Sequence, residues 1–337
     1  MAAASSRANA RRDPPCDVAL KPERLAEAVA RVGGVIRSER VLERRARSPV
    51  TRLPPLASVV CVTASTADLR VITFNTAVGN PKIKTAQRDF LALPFYREII
   101  AGEPGAAILA LQEVGPDQAR ALDEAASGAG ARFTLVRIQR PGQGNALLIP
   151  GRFRVLSRRS RYFVTSQLRA LAGASWRALR RRAPLNHRQY LELRMWSMAR
   201  LADEATGREL TVCNTHLSGE APLRLAQARS LLKRVHRARE RGPVILAGDL
   251  NVRATSAKPA SEAAIANAAV RDLFAPLENM AAGAVDPRRP AIDWILAAGF
   301  APVSARLYTD DALSLPNSPT AELISDHYAK EAVLRPL

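Results

Sequence analysis

Several short stretches of this chain end or begin in side chains that bind hard cations or phosphate. Asn75 closes "VITFN" and Glu113 closes "ILALQE". Asn214 and His216 close "LTVCNTH", and Asp249 and Asn251 close "VILAGDLN". Asp293 lies inside "AIDWIL", and Asp326 and His327 open "SDHYAKEAVLR". Each apolar run reads as a core strand. A carboxylate beside such a strand is costly unless it is paired or binds a metal. Asp249 and Asn251 are two apart, so strand alternation points both to one face.

The chemistry that suits this set is metal-assisted phosphoester hydrolysis. Mg²⁺ or Mn²⁺ prefers carboxylate and water oxygens, and screens the charge of a phosphate. An imidazole can take or give a proton near neutral pH. A carboxylate on its far nitrogen fixes the tautomer and steadies the imidazolium. Each residue also has a plainer explanation. Asn75 and Asn145 could cap turns, His216 could be a structural histidine, and Asp249 could be an N-cap.

The elements that must hold these residues alternate between strand and helix. "LRVITFN" (69–75), "AAILALQEV" (106–114), "RFTLVRIQ" (132–139) and "GNALLIP" (144–150) read as strands. "MWSMARLAD" and "GRELTVCNTHL" flank a turn at Ala205-Thr206-Gly207 and form a hairpin. Residues 221–240 have the spacing of an amphipathic helix, with Leu223, Leu231, Leu232 and Val235 on one side. "VILAGDLN", "AIDWILAAGF" and "SDHYAKEAVLR" complete the strands. Many strands with few helices between them predict a layered α/β sandwich.

The ordered set "ITFN", "LALQEV", "GNALLI", "NTHL", "AGDLN", "IDWIL" and "SDHY" resembles the endonuclease/exonuclease/phosphatase superfamily, over residues 69–337. That superfamily spans nucleases, sphingomyelinases and inositol polyphosphate phosphatases. The resemblance implies a four-layer α/β sandwich of two packed mixed sheets flanked by helices, with the site at one edge. It implies a metal site at Asn75 and Glu113, with Asp326 contributing. It implies that Asp249 and Asn251 orient the attacking water, and that Asp293 and His327 form the carboxylate–histidine pair. His216 matches the first histidine of the deoxyribonuclease and sphingomyelinase branches. Asn145 and Asn214 match positions beside the substrate.

The substrate is written less clearly. The chain carries a net charge of +19, and residues 152–200 hold thirteen arginines against one glutamate. Within an Arg-rich insertion at about 152–190, Leu168, Leu171, Ala172, Trp176 and Leu179 recur at helical spacing. A basic amphipathic helix there brings Arg180, Arg181 and Arg182 to a polyanion, nucleic acid or phospholipid headgroup, through backbone contacts or peripheral membrane binding. A non-catalytic polyanion-binding module is a rival reading, opposed by the intact acid and histidine set. Three scattered cysteines make no metal or disulfide framework, and no run approaches the length of a membrane span. Residues 1–67 read as a basic, partly disordered arm before a catalytic domain over 68–337. A polar helix is predicted over 21–47. A cytoplasmic setting is expected, or export if translation starts near residue 44, where a basic stretch precedes a short apolar run.

Overall fold

The computed structural model describes residues 68–77, 94–101, 107–128, 133–139, 143–181, 193–253, 262–285, 291–313 and 325–337. The expectations for residues 1–67 lie outside the described residues. In chain order the elements are β1 (Leu69–Asn75), α1 (Pro94–Ala101), β2 (Ile108–Val114), α2 (Pro116–Gly128), β3 (Phe133–Gln139) and β4 (Gly144–Pro150). Next come β5 (Phe153–Tyr162), α3 (Val164–Arg181), β6 (Met195–Asp203), β7 (Glu209–His216), α4 (Ala221–Arg239) and β8 (Val244–Asp249). The chain closes with α5 (Glu262–Phe274), β9 (Glu278–Asn279), β10 (Asp293–Ala298), β11 (Phe300–Tyr308), α6 (Asp310–Leu313) and β12 (Ala329–Pro336).

The strands form two six-stranded sheets, in the orders β11-β12-β1-β2-β4-β3 and β5-β6-β7-β8-β10-β9. Period-two alternation sorts their apolar side chains into three cores. Leu69 and Val71 of β1 pack in a middle core with Ile245 and Ala247 of β8. Ile72 and Phe74 point the other way, onto Phe95, Tyr96 and Ile99 of α1. Val244 and Leu246 of β8 pack outward on Leu231 and Val235 of α4 and Val270 and Phe274 of α5. Three apolar seams separate four layers, so the structure is the expected α/β sandwich.

The two sheets share one topology. Each has a central parallel pair, β1/β2 and β7/β8, flanked on both sides by antiparallel partners. In this correspondence β1 matches β7, β2 matches β8, β4 matches β10, and β12 matches β6. The parallel strands all end at the same edge, where a polar site can form.

Several elements differ from the sequence expectation. Residues 153–162, placed in an Arg-rich insertion, form edge strand β5, which pairs along its length with β6. The charged side chains stand on an edge, where water solvates them and no apolar alternation is required. The predicted basic helix is present as α3. "AIDWILAAGF" is not one strand. The chain turns at Gly299, with φ of +82°, and returns as β11. Asp293 is therefore the first residue of β10. Helices α1, α2 and α5 were not anticipated.

Candidate active site

The polar strand ends meet between the sheets at one edge. Asn75, Asn145, Asn214, His216, Asp249 and Asp293 each share the parity of middle-core residues on their own strands. The alternation that builds the core therefore also aims these side chains inward. Glu113 is the exception. By parity it belongs with Leu109 and Leu111, which face α1. The pairing of β2 with β4 slips between Leu111 and Val114, and Glu113 takes a left-handed backbone with φ of +53°. This bulge turns its carboxylate back to the site, 3.5 Å from Asn75 Nδ2 and 3.7 Å from His216 Nδ1. Such strained conformations persist where the surroundings fix them.

Asp249 is the hub, and is almost fully buried. Its Oδ1 accepts the Asn251 backbone N–H at 2.8 Å. Its Oδ2 accepts Asn75 Nδ2 at 3.1 Å and lies 3.3 Å from His216 Nε2 and 3.9 Å from His327 Nε2. Burial, then the nearby Asp293 charge, pushes its carboxyl up to about 7; His327 and the two amide donors oppose this. Asn251, with φ of +53°, donates its side-chain amide to Leu217 O at 2.8 Å and stands 3.3 Å from His216 Nε2.

His327 Nδ1 lies 2.8 Å from Asp293 Oδ2. Burial disfavours the imidazolium, but Asp293, Asp249 and Asp326 outweigh it and push the histidine up to about 10. The loop before β12 is fixed by Ser325, whose hydroxyl donates to Asn75 O at 2.6 Å and accepts the His327 N–H at 3.0 Å. Asp326 is exposed, with its carboxylate 3.9 Å from His327 Nε2.

A divalent cation fits this donor set. Ligand atoms of Asp249, Asp293 and His327 lie within 4.8 Å of one another. Asp293 Oδ1 is buried without a hydrogen-bond partner. Buried carboxylates this close repel unless a cation or proton intervenes. Asp293 Oδ2 already holds His327, so the pair serves better as a proton device. Glu113 and Asp326 are the more exposed carboxylates beside the cluster. Asn75 presents its NH₂ to the two carboxylates, while its oxygen accepts the Ala77 N–H at 2.9 Å.

The remaining predicted residues have other settings. Asn214 is fully buried, donates to Leu111 O and Ala146 O, and accepts from Gln112 Nε2, all between 2.8 and 2.9 Å. Its amide clips one sheet to the other. Asn145 donates to Met195 O at 3.2 Å, again across the sheets. Helix α3 starts beside Arg194, since Phe163 N–H donates to Arg194 O at 3.0 Å. It carries the backbone of Arg180 and Arg181 about 24 Å away along its axis. Arg182 lies outside the described residues.

Two site residues escaped the sequence reading. Arg194 Nη1 lies 2.7 Å from His216 Nδ1 and 3.7 Å from Glu113 Oε1. It precedes β6 as His327 precedes β12, an equivalence visible only once the shared topology is known. Lys330 is buried, and its Nζ donates to Asp293 O at 2.9 Å.

The profile of the endonuclease/exonuclease/phosphatase family matches residues 72–327. None of the curated proteins matches the chain. Among solved structures, a humanized TDP2 of D. rerio is similar with a TM-score of 0.55 and 16% identity, covering 80% of this chain and 99% of that one. A family protein of Bacteroides vulgatus has a TM-score of 0.55 and 18% identity, with 80% and 99% covered. The human Nocturnin catalytic domain, with bound sulfate, has a TM-score of 0.54 and 19% identity, with 82% and 96% covered. These likenesses concern the fold. The profile match, which runs from β1 to His327, establishes that the chain belongs to the endonuclease/exonuclease/phosphatase family.

Proposed function

We propose that this protein is a divalent-metal-dependent phosphodiesterase acting on nucleic-acid-type phosphodiesters. The observation that carries the reading is the His327–Asp293 contact of 2.8 Å, set beside a buried Asp249. A binding module needs neither a carboxylate-oriented histidine nor a buried acid facing it. Glu113 and Asp326 would hold Mg²⁺ or Mn²⁺, with Asn75 orienting the Glu113 carboxylate through its NH₂. The cation would screen the phosphate and stabilise charge on the leaving oxygen.

The chain's own groups divide the remaining work. Asp249 is raised toward neutrality, so it can orient a water and accept its proton. Asn251 steadies that water or a phosphate oxygen. His327, held as imidazolium by Asp293, donates from Nε2 to a non-bridging phosphate oxygen. His216 and Arg194 supply further positive or hydrogen-bonding contacts beside Glu113. Asn145 holds the start of β6, and with it the neighbouring Arg194, through its bond to Met195 O.

A second reading, a phospholipid or sphingomyelin phosphodiesterase, draws on α3. Val164, Leu168 and Trp176 of that basic helix are exposed. Plasmid DNA, RNA, sphingomyelin and a bis-aryl phosphodiester, each with Mg²⁺, Mn²⁺ or chelator, separate the readings. Cleavage of nucleic acid that stops in chelator is expected. Turnover that survives chelation refutes metal dependence, and turnover of lipid alone moves the assignment to the headgroup.

A further inference from the structure

We propose that the outer face of the second sheet carries an anion site for a ligand bearing two or more phosphates, separate from the catalytic cluster. A cavity of about 320 Å³ opens between edge strand β5 and helix α4. Six arginines line it: Arg158, Arg159, Arg200, Arg234, Arg237 and Arg241. Its floor is Trp196, Met198 and Thr211. Trp196 and Met198 belong to the outer core, so this face points away from the middle of the sandwich. Arg200 lies six residues along β6 from Arg194, about 20 Å from the catalytic edge at strand rise.

The walls bring like charges together from separate elements. Arg159 stands opposite Met198 in the β5–β6 ladder, and Ser157 opposite Arg200. Arg234 and Arg237 are one turn apart on α4, and Arg241 follows just beyond it. Arg159 and Arg237 are close enough to Arg234 to disfavour its charge, after burial. Among the described residues, Glu209 is the carboxylate that pairs with an arginine of these walls, 3.2 Å from Arg200 Nε. Arg158, Arg159, Arg237 and Arg241 have no such partner among the described residues. The C-terminal dipole of α4 accounts for cations at Arg237 and Arg241. It does not account for Arg158 and Arg159, which come from β5.

Arg234 is already set in place. Its guanidinium lies over the Trp196 ring, 4.9 Å from the centroid, and its Nη1 donates to Ser230 O at 2.9 Å. A pre-positioned guanidinium gives up little freedom on binding. Guanidinium forks match phosphate oxygens two at a time. A concave surface of one sign focuses potential on a small anion. A compact chain of phosphates suits both the volume and the charge. Free polyphosphate and the backbone of a single strand present that chemistry alike.

The test is calorimetric titration of the full-length protein with sodium tripolyphosphate, in chelator and about 0.15 M salt to screen distant charges. Chelator leaves the acidic catalytic cluster without a cation to bridge to phosphate. Arg159→Glu with Arg237→Glu reverses charge on two walls. Arg154→Glu with Arg239→Glu changes net charge equally outside the cavity. The first pair is expected to weaken binding about tenfold or more, as loss of two charge-assisted contacts requires. The second should stay within about threefold, as exposed charges do. Equal losses in both pairs, or no binding by the unmodified protein, would overturn the site. If the glutamates lower the melting temperature, Arg159→Gln with Arg237→Gln carries the same test. A short single-stranded oligonucleotide forms the second arm. A matching loss shows a nucleic-acid backbone in the cavity; unchanged oligonucleotide binding assigns the cavity to free polyphosphate.

Discussion

Gly248→Ala should disable catalysis without touching a reacting group. Gly248 precedes Asp249 on β8 and pairs with Thr215 of β7 in the parallel ladder. Its φ is +143°, and a Cβ there would lie 2.0 Å from Thr215 O and 3.0 Å from Thr215 C and N. The obstacle is backbone, so no rotamer relieves it. Ordinary contact begins at 3.4 Å, so about 1.4 Å of separation is needed in a close-packed interior. The strain of the glycine-only backbone adds about 1–3 kcal/mol. A displacement near 1 Å at a reacting group costs about a hundredfold in rate. The expectation is a loss of about 3 kcal/mol in stability from ladder and strain together, and a fall of about a hundredfold in kcat. Gly299→Ala is the control. Gly299 also has a positive φ, and a Cβ there would crowd Pro243 at 3.1–3.2 Å. It lies at the β10–β11 turn, at the opposite end of β10 from Asp293. Denaturant melts should show both variants destabilised. Steady-state hydrolysis of a bis-aryl phosphodiester should show only Gly248→Ala slowed. A folded Gly248→Ala protein with unmodified kcat would refute the claim that this ladder positions Asp249.

Three further outcomes follow from the geometry. Asp293→Asn should lower kcat about a thousandfold or more, as loss of a histidine's carboxylate does elsewhere. His327 then falls from about 10 toward its ordinary range, so residual activity should decline with rising pH well before that of the unmodified protein; identical pH profiles would remove the pair from the mechanism. Asn214→Leu should cost about 2–4 kcal/mol by leaving two carbonyls and Gln112 without a partner, with KM unchanged; a raised KM at unmodified stability would make Asn214 a substrate contact instead. Glu331 is buried, accepts from Arg70 and Tyr308, and sits near Arg306. Burial favours its protonation, but these partners outweigh burial and hold its carboxyl below the usual range. Its folded value is depressed, so its contribution is present above about pH 4.5 and lost as pH falls through the lower folded value. Glu331→Gln should therefore lose about 3 kcal/mol near neutrality and show a flatter acid limb in urea melts.

Much of the site could be read in the sequence because alternation governs both core and chemistry. In "VILAGDLN" and "LTVCNTH" the inward parity that buries Ile245 and Val212 also aims Asp249 and His216. The same parity also directs Asn214. It shares a face with His216, but two residues further back along the strand it is closed between the sheets, where it can only bridge them. Glu113 was found by its neighbours, although its direction depends on a bulge that no alternation encodes. Arg194 was hidden among the thirteen arginines of residues 152–200. Its task depends on β6 occupying the place in its sheet that β12 occupies in the other. Strand β5 was missed for a related reason. An edge strand with water on its charged side shows no clean apolar period, and "SRRSRY" reads equally as loop.

The shared topology has a further consequence for direction. Equivalent positions in the two sheets carry unlike groups: Asn75 against His216, Gln112 against Asp249, Asn145 against Asp293, and His327 against Arg194. A phosphodiester has two ester bonds that are nearly alike. A mount with matching contents in both halves would hold it equally well in either orientation and break either bond. Here the first sheet's half offers the His327 imidazole, and the second offers Arg194 beside the His216 imidazole together with Asp249 and Asp293. Under the proposed function, the duplicated scaffold supplies two places to grip, and its unequal furnishing would give a bound phosphodiester a polarity, with one ester oxygen on the leaving side.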